Sequence, residues 1–261
     1  MRDFARRSAS VLREEGLVAF ARKALEHPLN RARARIAARK LRVLARRVET
    51  VDDAVELVFT FEFAGVSVAP WQIRSELAGF LELVEERRPR RVVEIGTADG
   101  GTLFLLAWFA ADDATLVSVD LPAGRFGGGY GVWRRSLYAS FGKPRQRIEL
   151  VQADSHDART KRAVERILDH EPVDLLFIDG DHTYEGVAAD FEAYAPLVRD
   201  GGLVALHDIA PGPEEKVGGV PRFWRELSGS ARTHELVHGS SGDGFGIGVV
   251  EWGRAPAAVR S

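Results

Sequence analysis

The chain has 261 residues, of which 45% are hydrophobic and 28% are charged, and it contains no cysteine. This composition is typical of a folded globular protein, and it excludes disulfide scaffolds, cysteine nucleophiles and cysteine-ligated metal centres. The longest apolar run, Leu103–Ala111, has nine residues, which is too few to span a bilayer. Because the N-terminus shows no apolar segment followed by a cleavage site, we expect no secretory signal and a cytoplasmic protein.

Basic residues are concentrated at the N-terminus. Residues 1–50 carry 14 Lys/Arg and 5 Asp/Glu, whereas the remainder carries 22 and 33. We predict two helices here, the second over residues 31–47, separated at residues 27–30 because Pro28 cannot continue a helix. We expect residues 1–65 to form a basic helical arm that packs on its own body or on another subunit of a homo-oligomer. The alternative is contact with an anionic partner, such as a membrane surface, a nucleic acid or an acidic protein face.

The stretch from Thr50 to Pro70 shows little periodicity, and a helix is predicted over residues 71–87. From residue 89 onward, short apolar runs alternate with helical segments. We predict strands at 91–95, 116–119, 148–152, 173–178 and 203–206, helices at 101–111, 160–168, 184–197 and around Trp224, and a C-terminal hairpin from 233–237 and 246–252. This pattern indicates an α/β domain over residues 66–261. Its sheet is doubly wound and Rossmann-like, with about seven strands that are mostly parallel and an antiparallel C-terminal hairpin.

Ionisable side chains follow the predicted parallel strands, where ligands bind in open α/β sheets. They are Glu94, Asp99, Asp120, Asp154, Asp179, Asp181, His182, His207 and Asp208. One or two of the carboxylates could simply cap the following helix. Because the carboxyl ends of parallel strands meet at one edge, we expect most of these groups to share a single site.

The first strand runs into a glycine-rich turn within Glu94–Thr102, where the backbone can approach a ligand closely. Asp120 ends the next strand, in a position to accept hydrogen bonds from a ribose diol. Ala98 stands at the second glycine of a dinucleotide fingerprint, and Glu94 would repel a pyrophosphate. S-adenosylmethionine carries a sulfonium, an ammonium and no phosphate, and it fits this pattern better.

These segments, together with 153–155 and 176–182, resemble class I S-adenosylmethionine-dependent methyltransferases. Residues 177–184 and the later 206–208 are similar to a branch that includes macrolide sugar O-methyltransferases and cephalosporin-hydroxylase-like proteins. The resemblance covers about residues 70–252 and implies seven strands with the last antiparallel. It also implies cofactor contacts by Glu94, Gly96 and Gly100 at the methionine end, Asp120 at the ribose, and Asp154 with Ser155 at the adenine. Thr97, Gly101, Thr102, Leu121 and Asp179 complete the predicted cofactor contacts.

The resemblance further implies a divalent cation at Asp179, His207 and Asp208, and His182 as the general base beside Asp179. A cation of this kind lowers the pKa of a hydroxyl and orients its oxygen. Carboxylates suit Mg²⁺, whereas an imidazole from His207 would favour Mn²⁺ or Fe²⁺. Alternatively, His207 is a structural residue and only the two carboxylates bind metal. His182 could likewise be a loop residue that caps the next helix.

We therefore predict an S-adenosylmethionine-dependent O-methyltransferase acting on a hydroxyl of a small molecule or glycan, such as a sugar or natural product. A nucleic-acid substrate is not expected, because the body of the chain is acidic. The alternatives are an NAD(P)-dependent oxidoreductase or epimerase, a non-catalytic cofactor-binding scaffold, and a hydroxylase. The loop from Leu121 to Tyr130, with Phe126, is predicted to be either a lid or a plain surface loop.

Overall fold

We describe residues 16–121, 129–229, 232–238 and 244–253 of a computed structural model, and for residues 16–27 the helical backbone only. The N-terminal part forms two helices, α1 (Gly16–Ala45) and α2 (Val51–Thr60). Among the described residues, no helix is both long enough and apolar enough to cross a bilayer.

Helix α1 continues through Pro28, so the predicted break between two helices is wrong. A proline removes one main-chain hydrogen bond, and packing of the later turns holds the helix in place. The inner face of those turns is buried and consists of Ala34, Ala37, Ala38, Leu41 and Ala45. Helix α2 lies in the stretch for which no helix is predicted. Thr50 and Asp53 form a capping box at its start, and this pair is the sequence signal for it.

The strands are β1 (Glu62–Phe63), β2 (Val66–Ser67), β3 (Arg91–Ile95), β4 (Thr115–Asp120), β5 (Arg147–Gln152), β6 (Val173–Ile178), β7 (Val198–His207), β8 (Thr233–Leu236) and β9 (Ile247–Glu251). β1 and β2 form a small antiparallel ribbon, and the others form one sheet in the order β5-β4-β3-β6-β7-β9-β8. Strands β3 to β7 are parallel to one another, and β9 runs antiparallel to both of its neighbours, β7 and β8. This arrangement confirms the predicted doubly wound fold with its C-terminal hairpin.

The remaining helices are α3 (Arg74–Arg87), α4 (Gly101–Phe109), α5 (Arg135–Tyr138), α6 (Ala158–Ile167), α7 (Tyr184–Tyr194), α8 (Glu214–Val217) and α9 (Val220–Ser228). Alternate residues of a strand face opposite sides of the sheet, and each side has its own hydrophobic core. Helices α1 to α4 cover the side that Val92 faces. Helices α6, α7 and α9 cover the side that Val93 faces.

Strand β7 begins at Val198, five residues before the predicted start at residue 203. Its pairing with β6 shifts register at this point: Val173 pairs with Val198, whereas Leu175 pairs with Leu203. The extra residues form an irregularity in the ladder. Residues 199–202 are two charged residues and two glycines, a composition that does not predict a strand.

The described part of the arm shares a hydrophobic core with the sheet. Leu41 of α1 and Val58 of α2 are buried in the same cluster as Val92 of β3. Helix α1 also packs on α2 and α5. The packing therefore joins α1 and α2 to the body, while the domain boundary at residue 65 stays a prediction.

Leu41→Ala should destabilise the chain by about 2–5 kcal/mol, because it leaves a cavity between α1 and the body. Val43→Ala on the same helix is a matched control, since Val43 is 52% exposed, and it should change the free energy of unfolding by less than about 0.5 kcal/mol. Urea unfolding followed by circular dichroism measures both. Equal effects of the two variants would show that α1 does not pack as described.

Candidate functional site

A cavity of about 620 Å³ lies at the carboxyl ends of β3, β4, β6 and β7. The strand order reverses between the neighbouring strands β3 and β6, and ligands bind at this switch point in doubly wound folds. The structure brings most of the predicted site residues together in the cavity wall: Gly96, Thr97, Gly100, Gly101, Thr102, Asp120, Leu121, Asp154, Ser155, Asp179, His182, His207 and Asp208. The predicted lid residue Phe126 lies outside the described residues.

The loop after β3 passes very close to the end of β6. Gly96 has a φ of +92°, and a Cβ at this position would overlap the carbonyl oxygen of Asp179. Its N–H donates to the Val119 carbonyl at 2.8 Å. A side chain at Gly96 would therefore push the loop away from the strand end and open the cavity floor.

Asp120 is fixed by the same loop. Its Oδ2 accepts hydrogen bonds from the backbone N–H groups of Thr97 and Ala98, both at 3.1 Å. The residue is 5% exposed, and burial raises its pKa against the effect of these hydrogen bonds. The carboxyl group is thus held rigidly at the cavity wall, where it can accept hydrogen bonds from a ligand hydroxyl.

Glu94 differs from the sequence prediction because it does not line the cavity. Strand alternation turns it to the side that Val92 faces, where it is 1% exposed. Ser118 Oγ donates to its Oε2 at 2.7 Å, and its Oε1 has no hydrogen-bond partner among the described residues. Burial raises the pKa of Glu94 to about 8. The buried carboxyl is connected to the loop through Ser118, whose Oγ also contacts Thr97 Oγ1.

Two carboxylates and two imidazoles form a cluster at the ends of β6 and β7. His182 Nε2 lies 3.4 Å from Asp179 Oδ1, and its Nδ1 lies 3.2 Å from Asp208 Oδ2. His207 Nδ1 contacts the same two carboxylates, at 3.2 Å from Asp179 and 3.3 Å from Asp208. Each imidazole therefore contacts both acids. The sequence predicts only that these four groups lie near one another.

The acids and imidazoles of this cluster stabilise one another's charged forms. Burial by itself would raise the pKa of Asp179, but the neighbouring imidazoles of His207 and His182 hold it well below its usual range. Burial opposes the charge of His182, yet Asp179 and Asp208 raise its pKa to about 9. The same acids raise the pKa of His207 to about 10 despite its burial. At neutral pH both imidazoles are therefore cations and Asp179 is an anion.

The donor set suited to a metal differs in part from the predicted one. Ligand atoms of Asp179, His182 and Asp208 all lie within 4.8 Å of one another. His207, predicted as a ligand, is 5% exposed, and its Nε2 is buried without a hydrogen-bond partner among the described residues. Both imidazoles thus lie beside the two acids, and the side chain of His182 is the more exposed of the two, at 17% against 4%. His207 as a metal ligand stays a prediction.

Gln72 is a site residue that the sequence reasoning missed. It is 6% exposed, its Nε2 donates to Asp179 Oδ2 at 2.5 Å, and its Oε1 accepts from Thr102 Oγ1 at 3.0 Å. It therefore ties Asp179 to the start of α4. A single glutamine before a helix carries no motif, so nothing in the sequence marks it.

His156 was missed as well. It lines the cavity beside Asp154, and its Nε2 lies 3.3 Å from Oδ1 of Asp190. Asp190 is wholly buried, and its carboxylate raises the pKa of His156 to about 9. The only sequence signal is an ionisable residue at the end of β5, next to Asp154 and Ser155.

Comparison with known proteins agrees with this geometry. Residues 93–209 match the sequence model of a family described as a methyltransferase domain. Residues 93–209 thus resemble a methyltransferase domain. Among solved structures, it is similar to an O-methyltransferase from Bacillus cereus in complex with S-adenosylhomocysteine, with a TM-score of 0.52 and 22% identity over 80% of this chain and 96% of that one. It is also similar to the MycE methyltransferase of the mycinamycin biosynthetic pathway, in complex with Mg, S-adenosylhomocysteine and mycinamycin VI, with a TM-score of 0.51 and 20% identity over 81% and 58%.

Two curated relatives match parts of this chain. An uncharacterised protein of Sinorhizobium fredii is 28% identical over 182 residues, which are 66% of this chain and 18% of the relative. An uncharacterised protein of Acanthamoeba polyphaga mimivirus is 32% identical over 118 residues, which are 44% and 50%. The chain spans half or less of the length of these curated relatives.

We expect His156 to stay protonated up to about pH 9, because the Asp190 carboxylate favours the imidazolium. A histidine pKa raised by folding stabilises the fold below its unfolded value and ceases to do so as the pH rises through the folded value. The stabilisation from this pair should therefore be full below pH 6.5 and lost as the pH rises through about 9. NMR titration of the imidazole Cε1–H proton measures the pKa directly.

Asp190→Asn should return the His156 pKa toward its ordinary value, and Asp154→Asn should lower it less, because Asp154 Oδ1 is 3.9 Å away from Nδ1. His170 is exposed, and its titration serves as the control in both variants. An unchanged His156 pKa in Asp190→Asn would contradict the assignment.

Proposed function

We propose that the chain is an S-adenosylmethionine-dependent O-methyltransferase that acts on a hydroxyl of a small molecule or glycan. The observation that carries this proposal is the shared cavity. The glycine loop and Asp120 line one part of it, and the Asp179–His182–Asp208 cluster lines another. A methyl donor and an activated hydroxyl can therefore meet inside one cavity.

The cavity residues fit S-adenosylmethionine. Its ribose hydroxyls would donate to Asp120, whose carboxyl is fixed by two backbone N–H groups. Asp154, Ser155 and His156 would lie at the adenine, and the loop from Gly96 to Thr102 would follow the methionine chain. Glu94 does not line the cavity and would contribute indirectly, through its hydrogen bond with Ser118. When bound, this cosubstrate supplies an electrophilic methyl group on a sulfonium.

The cluster also fits a divalent cation. The carboxylates of Asp179 and Asp208 would hold the cation, and their oxygens suit Mg²⁺. They lie within 4.8 Å of each other and of a nitrogen of His182, which stays available as the base. Such a cation, when bound, would supply positive charge beside the acceptor oxygen in place of the His182 proton. Gln72 keeps Asp179 oriented by its 2.5 Å hydrogen bond to Oδ2, which leaves Oδ1 directed at the cluster.

His182 is the proposed proton acceptor. Its Nδ1 lies 2.6 Å from the Lys216 carbonyl, so this nitrogen can keep a hydrogen while Nε2 exchanges one. The imidazole lines the cavity and can take the proton of an acceptor hydroxyl once the charge of Asp179 and Asp208 is otherwise compensated.

The nature of the acceptor is proposed from the cavity and the relatives. Glu215, Lys216 and Phe245 line the wall near His182, and this mixture of charged and aromatic groups suits a polar molecule with an apolar surface, such as a glycosylated natural product. The MycE complex holds Mg and mycinamycin VI in a similar fold, which supports a small-molecule acceptor and a metal-assisted reaction here.

Asp120→Ala should weaken S-adenosylhomocysteine binding by about 1–3 kcal/mol, because ribose hydroxyls and loop N–H groups lose their acceptor. Asp120→Asn keeps an acceptor oxygen for the loop and removes the charge, so its loss should be smaller. Isothermal titration calorimetry measures both, with Asp113→Ala as the control for an exposed acid. Unchanged affinity in Asp120→Ala would remove Asp120 from the site.

His182→Ala should lower turnover by roughly 10²–10⁴-fold with little change in cosubstrate affinity, because it removes the proton acceptor and not the methyl donor's contacts. Methyl transfer from radiolabelled S-adenosylmethionine to a panel of glycosylated acceptors provides the assay. His207→Gln is the matched control for a histidine in the same cluster, and its effect on turnover should be smaller.

The metal is tested separately in the wild-type protein. Treatment with EDTA should abolish methyl transfer, and added Mg²⁺ or Mn²⁺ should restore it. Full activity after EDTA treatment would contradict the metal proposal, and a fully active His182→Ala enzyme would contradict the base.

A further inference from the structure

The outward side of helix α1 carries an apolar stripe. Leu29, Ile36 and Val43 are 59%, 50% and 52% exposed, and they recur every seven residues. Since a helix turns by about 100° per residue, this spacing aligns their side chains along one line. Exposed large apolar residues are ordinary when scattered singly, but an aligned set on one helix indicates a contact surface.

Cations border the stripe on both sides. Arg35, Arg39 and Arg42 lie along one edge by helical position, and Arg33 and Lys40 lie along the other, and all five are exposed. No Asp or Glu occurs in the sequence between His27 and Val48. We call these eight residues, the stripe and its borders, the outer face of α1.

The opposite side of the same helix packs against the body of the chain. Ala34, Ala37 and Leu41 are buried against the body, so the docking of α1 on its own fold is complete without the outer face. The apolar stripe therefore has no role in the core. Its position between two rows of cations is the pattern of a helix that lies in a membrane interface.

We propose that the outer face of α1 binds the surface of an anionic lipid bilayer. Leu29, Ile36 and Val43 enter the boundary between headgroups and acyl chains, and the arginines and the lysine meet the anionic headgroups. The contact is peripheral, in agreement with the absence of a membrane-crossing helix among the described residues.

Two other occupants fit the outer face less well. A second copy of the chain, related by a twofold axis, would place the same cations opposite one another, which is unfavourable. A nucleic acid would pair its phosphates with the cations and leave the apolar stripe in water, since phosphate contacts need no apolar surface. An anionic bilayer uses both features.

The test is co-sedimentation of the full chain with vesicles of phosphatidylcholine alone and of phosphatidylcholine with phosphatidylglycerol. We expect binding to the anionic vesicles, weakened by added salt, and little binding to the neutral ones. The triple variant Arg35→Gln, Arg39→Gln, Arg42→Gln should bind at least about tenfold more weakly, because each cation near the surface contributes to the attraction. The triple variant Leu29→Ser, Ile36→Ser, Val43→Ser should also bind at least about tenfold more weakly.

The matched control removes three exposed cations from helix α6, by Arg159→Gln, Arg162→Gln and Arg166→Gln. It should bind vesicles as the wild type does. All substituted residues are exposed, so melting temperatures and S-adenosylhomocysteine affinity should be unchanged throughout, and these measurements separate the membrane contact from folding and from the proposed methyl transfer.

Several results would overturn the proposal. These are equal binding to neutral and anionic vesicles, equal losses in the α1 and α6 arginine variants, or vesicle binding that survives the apolar variant. Tighter binding to duplex DNA or to polyglutamate than to vesicles would assign the face to a nucleic acid or an acidic protein. A dimer in light scattering that dissociates in the apolar variant would assign it to a second copy.

Discussion

The candidate site depends on how the charge of Asp179 is compensated inside the protein. A buried carboxylate is costly unless it is paired and hydrogen-bonded. Gln72 donates to one of its oxygens, and His182 and His207 lie close to the other. Removing one partner leaves the remaining charges unbalanced, so the four ionisable groups at the ends of β6 and β7 behave as one unit.

The glycine loop after β3 is held by contacts with Tyr138 and Arg134, and these contacts connect the N-terminal helices to the site. Tyr138 of α5 donates its hydroxyl hydrogen to the Ala98 carbonyl at 2.8 Å, and Arg134 lies 3.1 Å from Asp99. Helix α1 packs on α5 from behind. The basic arm is thus part of the wall that holds the loop, although its outer face points to solvent.

Much of the fold and part of the site could be predicted because their signals are local. Alternating apolar runs and helices identify the parallel sheet, and Asp120 and Asp179 follow from their places at strand ends. Glu94 does not line the cavity, because alternate residues of a strand face opposite sides of the sheet and Glu94 shares the side that Val92 faces. Gln72 and His156 carry no motif, and their partners Asp179 and Asp190 lie 107 and 34 positions away in the chain.

The sequence by itself determined the doubly wound α/β class, the glycine loop, and the set of acids and histidines that gather at one edge of the sheet, because periodicity and strand ends are properties of short segments. Only the tertiary structure decided that α1 passes through Pro28, that His182 and His207 each lie within 3.4 Å of both carboxylates, and that Glu94 is buried. Each of these outcomes depends on packing and charge between segments distant in the chain, which local pattern does not encode.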